Sequence, residues 1–77
     1  MKMTPYEFLK SDLLGIEENL EKEQFVAEAK WLHIERAIEE EGGKGALTAD
    51  QSLQLRQLLD ELRLEHDLRM NPGTLGS

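Results

Sequence analysis

From Tyr6 to Ile38 one row of side chains recurs every three or four residues: Tyr6, Leu9, Leu13, Ile16, Leu20, Gln24, Ala27, Trp31, Ile34 and Ile38. Only Gln24 interrupts its apolar character. That spacing follows the roughly 3.6-residue turn of an α-helix and places the whole row on one face. A chain carrying such a stripe must bury it, and everything else in the sequence is read against that demand.

The start of this helix is marked. Thr4 suits the N-cap, Pro5 the first helical position, where a missing N–H is harmless, and Glu7 the capping-box position three residues on. Gly15 lies inside the stripe, where glycine costs about 1 kcal/mol relative to alanine. The stripe keeps its phase across Gly15, and Ile16 is a poor N-cap, so the helix is expected to continue through it to Glu41, with Gly15 as its one place for a kink.

Gly42-Gly43-Lys44-Gly45 then opens a glycine-rich loop over 42–47. A second capping box, Thr48 with Gln51, and Asp50 in the first turn announce another helix from about Ala49 to Met70. Leu55, Leu58, Leu59 and Leu62 give it a core face, continued by His66 and Arg69, and Glu65 and Arg69 are spaced for a helix pair. Asn71-Pro72-Gly73 stops it. The expected architecture is all-α: a single domain over 1–77 built as an antiparallel helical hairpin, with flexible ends at 1–4 and 71–77.

The two helices of such a hairpin are unequal, about 55 Å against about 33 Å at 1.5 Å per residue. Paired outward from the loop, they leave Tyr6, Phe8, Leu9, Leu13, Leu14 and Ile16 without a partner in the chain. A second surplus stands on the later helix, where Leu53, Leu64 and Leu68 fall opposite the core face, and Leu14, Phe25 and Leu32 make a minor stripe on the first. Each large side chain is worth roughly 1.5–3 kcal/mol when buried, and grouped exposed ones mark an interface. A homodimer closing into a four-helix bundle is therefore expected. The competing expectation is a monomeric three-helix bundle in which residues 5–14 fold back at Gly15. The partner-binding set read from the pattern is Tyr6, Phe8, Leu9, Leu13, Leu53, Leu64 and Leu68.

Signs of catalysis are few. The 77 residues include no cysteine, so disulfides and thiolate metal sites are excluded. Thr4 and Thr48 read as caps, and neither histidine has a serine at helical spacing to activate. A bundle di-iron site needs Glu three residues before His on two helices; Lys30 precedes His33 and Arg63 precedes His66. The segment Gly42–Gly45 lacks the spacing of a phosphate-binding loop. No catalytic residue, metal ligand or cofactor is assigned. His33 reads as a surface or interface residue. His66, on the core face between Glu65 and Asp67, reads as a hydrogen-bonded, partly buried histidine, with a pH-sensitive contact as the sharper alternative.

Sixteen acidic against nine basic side chains give a net charge of −7. That balance disfavours direct binding to nucleic acid or to anionic lipid, both of which need Lys and Arg. No stretch has the roughly 20 apolar residues of a membrane span, and no signal-type apolar run follows Met1. A cytoplasmic protein is expected, in the host cytoplasm if viral. The function that follows is a small non-enzymatic protein–protein interaction module (adaptor, assembly factor or inhibitor) acting through apolar helix faces, on itself and on another protein. The alternative is an acidic inhibitor, of the kind phages encode, whose carboxylates occupy the nucleic-acid-binding groove of a host protein.

Overall fold

The computed structural model describes residues 3–70, and the tail expected at 71–77 lies outside them. Among the described residues three helices follow one another: α1 (Pro5–Glu21), α2 (Glu28–Gly43) and α3 (Ala49–Met70). They form an up-down-up bundle in which α1 and α2 each pack more extensively on α3 than on one another. Parallel α1 and α3 are tied by Tyr6 with Gln54 at one end and by Leu20 with Arg69 at the other. Antiparallel α2 and α3 are tied by Glu39 with Arg56 and by Glu28 with Arg63.

The uninterrupted helix expected over 5–41 is two helices, and the break falls neither at Gly15 nor at any other glycine. α1 runs straight through Gly15 and ends at Glu21. There the backbone closes a Schellman motif: Gln24 N–H donates to Asn19 O at 2.9 Å and Glu23 N–H donates to Leu20 O at 2.9 Å. Glu23 takes the left-handed position, at φ 56°, that glycine ordinarily fills. Burial decides the balance. Left-handed backbone costs a non-glycine residue about 1–2 kcal/mol. Folding back covers Leu9, Leu13, Ile16 and Leu20, each 4% exposed or less and each worth about 1.5–3 kcal/mol when buried. The turn wins by several-fold.

Glu23→Gly should therefore stabilise the protein by about 1 kcal/mol, because glycine meets no Cβ penalty there and loses part of that gain to its freer unfolded chain. A raised urea midpoint with an unchanged slope is the expected reading.

The same motif, with a glycine in its usual place, ends α2. Ala46 N–H donates to Glu41 O and Gly45 N–H to Gly42 O, with Gly45 at φ 79°. Helix α2 thus takes in Gly42 and Gly43, and the loop is shorter than the 42–47 expected from composition. Both N-caps form, and the capping box is reciprocal at Thr48 but one-sided at Thr4. Thr4 Oγ1 accepts from Glu7 N–H at 3.2 Å, and Thr48 and Gln51 exchange bonds of 3.0 and 3.1 Å.

The core is the buried row Leu9, Leu13, Ile16 and Leu20 of α1, Trp31, Ile34 and Ile38 of α2, and Leu55, Leu59 and Leu62 of α3. Val26 and Leu47, one in each connection, complete it. Gln24 and Ala27, placed on the stripe by their spacing, are exposed in and beside the turn, where Ala27 is the N-cap of α2 and offers no side-chain bond.

Candidate protein-interaction surface

His66 is the only polar side chain buried among the described residues. It closes the bundle where α1 turns into α2. Its Nε2 accepts a hydrogen bond from the Val26 backbone N–H at 3.2 Å. An accepting Nε2 leaves the ring proton on Nδ1, which faces Asp67 Oδ1 at 3.4 Å. The Trp31 ring meets the imidazole edge-on at 5.6 Å, and Phe25 covers it from the connection at 5.3 Å. One turn along, Arg69 donates to the Leu20 carbonyl at 3.1 Å and to Glu65, the pair expected from spacing. His66 and Arg69 together hold the reversal against α3.

This is a structural role, and it has a measurable weight. His66→Leu keeps the packing but leaves a buried N–H without an acceptor, a loss of about 1–3 kcal/mol. His66→Gln, whose amide oxygen can still accept, should lose less. Urea unfolding of the two variants beside the native chain reads the difference.

Every buried side-chain nitrogen and oxygen among the described residues has a partner, so none is left aimed at a ligand. No group of three or more His, Asp or Glu side chains among these residues is arranged to hold a metal ion. No described helix is long and apolar enough to cross a membrane.

What the bundle does leave unsatisfied is apolar surface. The partner-binding residues read from the sequence divide cleanly. Leu9 and Leu13 are in the core, because the reversal at 22–27 brings α1 back onto α3, and they are unavailable to another chain. Tyr6 is half-buried against the core, with its hydroxyl donating to Gln54 Oε1 at 2.9 Å. Phe8, Leu53, Leu64 and Leu68 remain exposed, Leu64 at 57%. Met3, Leu14, Phe25 and Leu32 are exposed as well. The minor stripe of Leu14, Phe25 and Leu32 does not exist as a face, since its members lie on α1, the connection and α2.

Two of these exposed groups each lie along one side of the bundle. Met3 and Phe8 line a groove between α1 and α2 with Leu9, Asp12, His33 and Glu41. Further along, the same groove carries Lys22 and Lys30 beside Asp12 and Glu18, so its charge is mixed. The other surface is the outer side of α3. Leu53 and Leu64 are separated by three helical turns and Leu64 and Leu68 by one, which aligns all three opposite Leu55, Leu59, Leu62 and His66.

The ion pairs of α3 run both along the helix and across to α2. In sequence the arginines of α3 alternate with Asp60, Glu61, Glu65 and Asp67. Arg56 reaches Glu35 and Glu39 on α2 at 3.5 and 3.3 Å, Arg63 reaches Glu28 at 2.6 Å, and Arg69 reaches Glu65. Asp60 and Glu61 have no cationic partner among the described residues, and Asp67 has only the His66 ring. These three carboxylates flank the exposed leucines. Helical phase alone could have placed them there. The pairing of Arg56 and Arg63 with α2 needed the bundle.

Comparison with protein families, with curated proteins and with solved structures finds no match to this chain.

Proposed function

We propose that this chain is a small non-enzymatic protein-interaction module (adaptor, assembly factor or inhibitor) that docks an apolar helix face on a larger protein. One observation carries the reading: Leu53, Leu64 and Leu68 stand exposed in a single line along α3 in a bundle whose core is already closed. Isolated exposed leucines are ordinary, but an aligned set is the pattern of helix-face recognition.

The test is the double variant Leu64→Glu/Leu68→Glu. Both positions are at the surface, so helix content and thermal midpoint should stay close to those of the native chain. Affinity purification on the native chain should retain a protein that the variant loses. Identical retention by both would remove the α3 face from the account.

The homodimer expected from the hairpin had two supports, and the N-terminal leucines no longer provide one of them. Light scattering at micromolar concentration measures what is left of that proposal. A second reading, favoured by the carboxylates at Asp60, Glu61 and Asp67 and by the net charge of −7, is an acidic inhibitor seated in a nucleic-acid-binding groove. It requires binding that weakens steeply with salt, whereas apolar docking depends on salt only weakly.

A further inference from the structure

We propose that the outer face of α3 takes an amphipathic helix whose apolar anchors are flanked by lysine or arginine, and that it discriminates against a second copy of this chain. The proposal rests on the interaction-module reading and adds the chemistry of the partner.

Two features of the face carry it. The leucines give a row of anchors about 22 Å long from Leu53 to Leu68, enough for four turns of a docked helix. The unpaired charges beside that row have one sign. Arg56, Arg63 and Arg69 remain 45%, 40% and 37% exposed but are ion-paired to Glu35 and Glu39, Glu28, and Glu65 in turn. The charges without a cationic or anionic side-chain partner along the row are therefore Asp60 and Glu61, with Asp67 meeting only the His66 ring. A docked helix shields these carboxylates from water, and only a cationic flank compensates them.

The same charges argue against self-pairing. In a two-fold contact each residue meets the counterpart of another on the partner copy. When Leu53 of one copy meets Leu68 of the other in antiparallel register, the middle of the contact sets Asp60 against Glu61, twice. Like charges placed face to face in a desolvated contact are strongly unfavourable. Both chains of such a pair also carry −7.

Three synthetic helical peptides of about 18 residues test this, each long enough to cover the leucine row. All carry leucines in the same stripe, and they differ only in the flanking positions: lysine, glutamine or glutamate. Their affinities for the intact chain are measured by titration calorimetry in low salt and in 0.5 M salt, beside Leu64→Glu/Leu68→Glu and Asp60→Lys/Glu61→Lys. The expected result is a lysine peptide at least about tenfold tighter than the glutamine one, a glutamate peptide weaker still, and a preference that shrinks in high salt. The leucine variant should abolish binding, and the charge-reversed variant should prefer the glutamate peptide.

Equal binding of the lysine and glutamine peptides, lost in the leucine variant, overturns the basic partner while leaving the apolar docking face in place. Binding that survives the leucine variant, or no binding by any of the three peptides, overturns the face itself. A native chain that is dimeric at micromolar concentration and becomes monomeric as Leu64→Glu/Leu68→Glu assigns the face to a second copy and overturns the discrimination.

Discussion

Trp31→Ala is expected to leave little folded protein at 25 °C. Trp31 is 2% exposed in the first turn of α2, where its ring packs edge-on to His66. Truncating a buried tryptophan costs about 3–5 kcal/mol, and a single core in a chain this short supplies a net stability of about that size. Loss and reserve are equal, so the variant should show a broad, low-amplitude melt by circular dichroism. A sharp transition within a few degrees of the native midpoint would mean that the core does not centre on this residue.

Leu13→Ala is the second large effect, and it separates two architectures. Leu13 is fully buried, and its truncation should cost about 2–5 kcal/mol. In a closed single-chain bundle that loss is the same at every protein concentration. In a hairpin whose N-terminal leucines meet only a second copy, it would act on association, and the midpoint would rise with concentration. Urea midpoints at two concentrations a hundredfold apart distinguish the cases. The bundle requires that they coincide.

Much of this fold was legible in the sequence because its signals are local. The caps at Thr4 and Thr48 mark where α1 and α3 begin, and the row from Leu9 through Ile38 names the buried face of α1 and α2 except at Gln24 and Ala27, which are exposed. The break between α1 and α2 was hidden for two physical reasons. The steps Leu20, Gln24, Ala27, Trp31 are threes and fours, so the row keeps helical phase across a segment that is not helical. The left-handed residue that ends α1 is Glu23, and a sequence read for glycine looks instead to Gly15, where no left-handed backbone occurs. Val26 and Leu47 were missed because a buried residue in a connection has no period to betray it.

The candidate surface divides along the same line. Leu53, Leu64 and Leu68 depend only on the phase of one helix, and the structure leaves them exposed. Leu9 and Leu13 depended on where α1 goes after Glu21, a question of tertiary balance that periodicity does not address. The distribution of charge on α3 had the same obstacle, since Arg56 and Arg63 are paired across to α2.

The reversal at residues 22–27 is the claim on which the closed core, and so the choice of free surface, depends. The absence of cysteine permits spin labels at Glu7→Cys and Glu40→Cys alone, both at exposed sites. The two positions adjoin Phe8 and Glu41, which line one groove. With labelled chain diluted in unlabelled chain, electron double resonance should return a separation within the 25 Å width of the bundle. A distance near 50 Å, that of 33 residues of unbroken helix, would contradict it.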